Sequence, residues 1–305
     1  MKRSSDVGAG AVLCLLLALL PGCSMKKMAV NSLGNALAEG GSVYATDDDP
    51  ELVGQAVPFG LKTMEALLQE SPRHKGLLFA AAAGFTQYAF SYVQVEADYV
   101  EDDDFTRARE QRLRARNLYL RARDYGLRGL DAYFPRFLQR LRQDAGEILA
   151  RARKKHVRLL YWTGLAWFGA IAVDKSDPEL TADQSVAESL LRRALELDPG
   201  WDYGSIHEFY IAWEGRGEAV GGSFERAREH FEQAVHFSRG QRVSPFVTMA
   251  ENVAVAQQSR GHFQELLRKA LDVDTDAVPE LRLANLVYQK RARWLLARID
   301  DLFVE

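Results

Sequence analysis

The chain has 305 residues, with 47% hydrophobic and 27% charged, which suits one large or two medium globular domains. A formal net charge of −3 gives no global attraction to nucleic acid or to an anionic surface. Both cysteines, Cys14 and Cys23, lie in the first 25 residues, which excludes a structural disulfide or a cysteine-held metal site in the folded body.

The N-terminus reads as a targeting segment. Lys2 and Arg3 give it a positive start, and residues 8–20 form an uncharged apolar run of 13 residues. That run is too short to cross a bilayer, which takes roughly 20 residues, and it fits a secretory signal. Leu20-Pro21-Gly22-Cys23 resembles a bacterial lipobox, in which cleavage precedes the cysteine and the cysteine carries acyl chains. Residues 1–22 are therefore expected to be a signal peptide and Cys23 the lipidation site. Ser24 follows it and resembles the outer-membrane sorting class. Removal of Lys2, Arg3 and Asp6 leaves a mature charge of −4. Residues 23–49 read as a lipidated linker with a weak helix and a turn, broken by Gly34, Gly40, Gly41 and an acidic run. Residues 50–305 read as a helical repeat domain.

Asp49-Pro50 looks like a helix cap followed by proline at the first position, and the helix runs to about residue 69. Gly60, Met64 and Leu67 sit there at a small-large-large spacing. Residues 74–98 are alanine-rich and aromatic and predict a buried helix. Residues 107–130 predict a long basic helix carrying Ala115, Tyr119 and Ala122. Pro135 interrupts, and one or two short helices follow. Residues 155–173 are the most apolar part of the mature chain, with Leu165, Phe168, Gly169 and Ala172 expected to form the packing face. Ala187, Leu191 and Ala194 then share one helix face, as do Ala227, Phe231 and Ala234 forty residues on. The turns Gly222-Ser223-Phe224 and Gly261-His262-Phe263 lie 39 apart. Ala250, Val253 and Ala254 mark a further helix, and Pro279 starts a last one that reaches residue 301.

Small, large, small at that spacing, closed by Pro199, resembles the second helix of a tetratricopeptide repeat (TPR). The fold class is all-α: TPR-like helix pairs stacked into a compact superhelical array. No stretch shows the two-residue alternation of a strand.

Three features carry a more specific resemblance: the lipobox, LLYWTGLAWFGAIAV ahead of AESLLRRALELDPGWDYGSIHEFYIAWEG, and GGSFERAREHFEQAVHFS leading into a third pair. Together they resemble the TPR lipoprotein component associated with TRAP transporters, the TatT family. The resemblance covers nearly the whole mature chain and is most specific in the C-terminal half. It implies stacked helix pairs in the periplasm, a trimer with a cleft and pore in each subunit, and docking of a TRAP-type substrate-binding protein. It also implies movement of small, hydrophobic ligands.

The residues themselves offer aromatics as the site. Tyr161, Trp162, Trp167, Phe168, Trp201, Phe209, Tyr210 and Trp213, with Tyr203, combine apolar bodies with hydroxyl or indole donors suited to a ligand cleft, against the simpler reading of core packing. Helix neighbours point about 100° apart, so one member of Tyr161-Trp162 and one of Trp167-Phe168 is expected to line a cavity. The arginine-rich run of residues 107–158 interleaves with carboxylates and reads as a solvated or partner-docking face. His207-Glu208 lacks the second histidine of a zinc-protease helix, and His230 and His236 do not share a face. No catalytic constellation, metal set or cofactor signature is found. The expected function is a lipid-anchored, non-enzymatic transport accessory that docks a binding protein and passes a hydrophobic ligand. The rival is a scaffold lipoprotein for cell-envelope assembly.

Overall fold

The computed structural model describes residues 21–39 and 41–304. Residues 1–20 of the expected signal segment, and the Cys23 side chain, lie outside the described residues. The described residues are mostly helical, and no strand occurs among them.

Helix α1 (Pro21–Glu39) and the short α2 (Gly41–Ala45) precede α3 (Pro50–Glu70). Helix α4 (Lys75–Ala89) runs through a π-helical turn, Phe90–Gln94, into α5 (Val95–Val100). The 27-residue α6 (Phe105–Asp131) follows, then α7 (Phe137–Gln143) and α8 (Ala145–Ala150). Next come α9 (Val157–Val173), α10 (Pro178–Ala182), α11 (Gln184–Leu197), α12 (Trp201–Glu214) and α13 (Phe224–Ser238). Helix α14 (Ser244–Met249) passes into a second π turn, Ala250–Ala254, ahead of α15 (Arg260–Asp272), α16 (Arg282–Ala297) and α17 (Ile299–Leu302).

Local chemistry sets the helix starts. The Asp49 carboxylate accepts the Leu52 amide at 2.9 Å with Pro50 behind it, and Asp104 accepts the Arg107 amide at 2.9 Å. Each takes up an amide that the first turn leaves without a partner. Ser223 does the same for Arg226 at 3.3 Å.

Packing follows the small residues. Helix α6 lies between α4 and α9, and α9 lies against α11. A Cβ on Gly126 would meet the Thr163 hydroxyl at 2.2 Å, and one on Gly164 would meet Leu191 at 2.7 Å. Only glycine lets these helices come so close. Ala115, Ala122, Ala187, Ala194, Ala227 and Ala234 are all fully buried, as the small-large-small spacing requires.

The later helices return to the earlier ones. Helix α16 packs on α2 and α3. Arg282 donates to the Thr46 carbonyl at 2.9 Å, and Arg298 reaches Asp102 at 3.1 Å.

Four expectations need correcting. Helix α3 buries Val53, Leu61 and Leu68, not Gly60, Met64 and Leu67, so its inward face is turned by about one residue. Helix α9 buries Leu159, Leu160, Thr163, Ala166, Trp167 and Ala170, because α6 and α11 flank it there. Leu165, Phe168 and Gly169 stay half-buried and Ala172 is exposed. Gly261 lies inside α15, one residue beyond its start at Arg260; the turn is made earlier, at Gln258, with φ of 51°. The weak helix read in residues 23–49 is the 19-residue α1, which runs on through the expected breaker Gly34 and docks on α4 and the turn before it: Ser71 donates to Asn31 at 2.9 Å, and Gly76 faces Ala38.

Candidate functional site

Helix α12 opens on an unusual turn. Asp202, Tyr203 and Gly204 all adopt left-handed backbone, with φ of 47°, 57° and 85°. Two of them are not glycine, so the turn is strained. On one side of it the Trp201 ring lies 4.8 Å from Tyr161. On the other, Asp202 accepts Ser205 and Arg242.

The aromatics separate into layers. Tyr161, Trp162 and Trp201 form one group, with Tyr161 and Trp162 edge to face at 5.0 Å. Phe168, Phe209 and Trp213 form a second, with centroids 4.7 to 5.9 Å apart. Trp162, Phe168, Trp201, Phe209 and Trp213 are half-buried and hold an accessible apolar surface between α9 and α12. Tyr210 is 6% exposed and lies behind this group, edge to face with Phe209 at 5.1 Å, stacking on His230 at 4.9 Å and donating to Glu188 at 3.0 Å. Trp167 is 1% exposed and lies on the α6 side beneath Arg123. Tyr203 is exposed at the turn.

Two ionic clusters lie beside the aromatics, and reading the sequence for aromatics alone misses them. Glu208 pairs with Arg242, which also reaches Asp202 at 3.4 Å and Ser244 at 3.2 Å. Burial pushes the Glu208 carboxyl up, while Arg242 and Ser244 pull against it. Burial works against the Arg242 charge, but Glu208 and Asp202 more than restore it. In the second cluster Arg291 joins Glu251 at 2.7 Å to Asp98 at 3.1 Å, and Arg112 joins Asp98 to Glu101. Tyr288 lies between the two clusters, with its ring 5.7 Å from Phe90. A sequence signal existed: Glu208 is a carboxylate set among Ile206, Phe209, Tyr210 and Ile211.

His207 and His230 meet with their Nδ1 atoms 2.8 Å apart, so one ring donates and the other accepts. Burial, aided by His230, pushes His207 down to about 4. Burial also lowers His230. The pair was invisible in sequence because it joins two different helices.

A groove between α3 and α6, lined by Lys62, Glu65, Arg121, Tyr125 and Arg128, is charged and shares none of the aromatics. Among the described residues no group of three histidine, cysteine or carboxylate side chains is placed to hold a metal. Among them, too, no helix is long and apolar enough to cross a membrane.

These features define an all-helical protein whose last long helix packs back on α2 and α3 and which presents an aromatic face between α9 and α12. The chain belongs to the TRAP transporter T-component family, whose model matches residues 46–303. It is also 33% identical, over 96% of its length and 95% of the relative's, to a protein of Treponema pallidum (strain Nichols) described only as uncharacterized. Membership associates the chain with a TRAP transport system of the bacterial cell envelope, as a transport accessory.

Proposed function

We propose that the protein is a lipid-anchored periplasmic accessory of TPR-like build. It docks a TRAP-type substrate-binding protein and passes a small hydrophobic ligand along the face between α9 and α12. The observation that carries this reading is the half-buried apolar surface of Trp162, Phe168, Trp201, Phe209 and Trp213, five large rings contributed by α9 and α12. A single half-buried ring is ordinary, but several gathered on neighbouring helices are the kind of apolar patch that marks a ligand or partner surface. Acylated Cys23 would hold the protein at the outer membrane, and assembly as a trimer belongs to the same reading.

Three measurements test it. Cys23→Ser should move the protein from the membrane fraction to the soluble periplasm. The mature protein should capture a TRAP-type binding protein from periplasmic extract. Organic extraction of the purified protein should yield apolar small molecules by mass spectrometry. An empty extract together with no captured binding protein would overturn the transport reading in favour of a scaffold.

A further inference from the structure

Helix α6 carries an arginine at every seventh position: Arg107, Arg114, Arg121 and Arg128. Seven residues are close to two turns, so the four fall on one side of the helix, about 10.5 Å apart and over about 31 Å. All four are exposed. Arginines that turn elsewhere are met within the chain: Arg112 by Glu101, Arg116 by Asp174 and Arg123 by Asp124. Among the described residues Arg107, Arg114 and Arg128 have no carboxylate in salt-bridge range. Arg121 approaches only Glu65, at 3.6 Å, and Lys62 and Tyr125 already hold that carboxylate.

Three of the four are oriented without being neutralised. Arg114 lies over the Tyr88 ring and donates to its hydroxyl at 3.3 Å. Arg121 lies over Phe85 and Arg128 over Tyr125, at 5.4 and 5.2 Å from the ring centres. A ring beneath a guanidinium fixes its position and leaves its charge uncompensated. Beside them the groove between α3 and α6, about 460 Å³, is lined by three cations, Lys62, Arg121 and Arg128, against the one carboxylate of Glu65. On α3, one turn before Lys62, the Phe59 ring is 80% exposed.

We propose that the stripe from Arg107 to Arg128, with the groove beside it, docks an amphipathic acidic helix of a partner protein, whose carboxylates meet the arginines and whose apolar side chains meet Phe59. A helix laid along α6 also repeats its face every seven residues, so its carboxylates fall in step with the arginines. Guanidinium takes carboxylate through paired N–H donors. A bilayer or a nucleic acid is negative throughout and would be pressed against Glu110 and Asp124, both exposed and interleaved with the stripe. A protein can place discrete carboxylates between them. This surface deepens the transport reading, in which the partner is the TRAP-type binding protein, and rests on it only for that partner's identity.

The test uses the mature chain with Cys23→Ser and a fluorescein-labelled helical peptide of about four heptads, with glutamate and leucine each repeated every seven residues. A copy with glutamine for glutamate is the reference, and binding is read by anisotropy. The glutamate peptide should bind at least about tenfold more tightly than its copy at low salt, and added salt should erase most of the difference. Arg114→Gln, Arg121→Gln and Arg128→Gln should each weaken binding about twofold to fivefold, and the triple variant at least about tenfold, with circular dichroism unchanged. Arg109→Gln, on another side of α6, should leave it unaltered. Equal binding of the two peptides, unaltered binding by the triple variant, or no binding of either peptide overturns the docking surface. So does tighter binding to phosphatidylglycerol vesicles that the triple variant abolishes, which would assign the stripe to a lipid surface. Capture of a TRAP-type binding protein as strongly by the triple variant as by the parent chain would remove the stripe and leave the transport reading standing. Peptide binding with no captured binding protein would do the reverse.

Discussion

Arg291, on the last long helix, lies 3.1 Å from Asp98 on the fifth, and its guanidinium also reaches Glu251 at 2.7 Å. One side chain thus ties the end of the chain to its first half and to the second π turn. Only 13% of that side chain is exposed, so removing it leaves two poorly solvated carboxylates facing one another. Breaking a buried pair from one side costs about 3–5 kcal/mol, and the partial exposure of Asp98 and Glu251 reduces this to about 2–4 kcal/mol. Arg291→Leu is therefore expected to lower the urea midpoint with a loss in that range. Arg291→Leu combined with Asp98→Asn and Glu251→Gln should recover part of it. A loss below about 0.5 kcal/mol in the single variant would show that the ends are held by other contacts.

The His207–His230 contact makes stability depend on pH. Both rings are held neutral by burial, His207 down to about 4, while an unfolded histidine titrates near 6.5. Below 6.5 the unfolded chain takes up protons that the folded pair resists. Their contribution is thus fully present above about pH 7, falls as pH drops through 6.5, and levels off only near 4. The full His207 shift corresponds to about 3 kcal/mol, and solvent screening of the incompletely enclosed pair reduces the loss across that window to on the order of 1–2 kcal/mol. Thermal midpoints measured from pH 7.5 to 4.5 should fall more steeply for the wild type than for His207→Asn with His230→Gln. Parallel curves would place the acid sensitivity elsewhere.

The helices were legible because periodicity and caps are local. Asp49-Pro50, Ser223 and the Ala187, Leu191, Ala194 face needed no knowledge of the remainder of the chain. What failed was the assignment of faces where a helix has neighbours on more than one side. Helix α9 is apolar all round, so its sequence could not say that α6 and α11 take one face and leave Phe168 on the other. In both Tyr161-Trp162 and Trp167-Phe168 the first member is buried and the second half-buried. The ionic clusters depend on residues 34 and 40 apart, Glu208 with Arg242 and Glu251 with Arg291, and on closure of the array. No local pattern encodes that.

Two glycines should respond oppositely to the same change. At Gly126 an alanine Cβ would lie 2.2 Å from the Thr163 hydroxyl and 3.2 Å from the Thr163 Cα, so backbone as well as side chain must move. Overpacking of this kind costs about 1–3 kcal/mol, which outweighs the gain of up to about 1 kcal/mol from alanine's helix propensity. Gly261, in α15, has nothing within 4 Å of its Cβ position, so there the propensity gain stands alone. Gly126→Ala should lower the thermal midpoint and Gly261→Ala should raise it. If Gly126→Ala proved neutral, α6 and α9 would not be as close as Thr163 implies.

Adjacent aromatics on α9 allow binding to be separated from stability. Trp167 is fully enclosed at 1% exposure, and Trp167→Ala should cost about 3–5 kcal/mol through lost burial and the cavity left behind. Phe168 is half-buried against Phe209 and Trp213, so Phe168→Ala should cost only about 1–2 kcal/mol. Ligand retention should rank the other way for any variant that folds. On the transport reading, apolar material co-purifies with the wild type, and Phe168→Ala should lose most of it, because it removes a ring packed on both Phe209 and Trp213. The conservative Trp167→Phe should keep that material despite a lower thermal midpoint, since Trp167 lies on the α6 side under Arg123. Mass spectrometry of extracts from both variants, set beside their melting curves, checks the ranking. Full retention in Phe168→Ala would mean that the face between α9 and α12 is an incompletely covered core and not a passage.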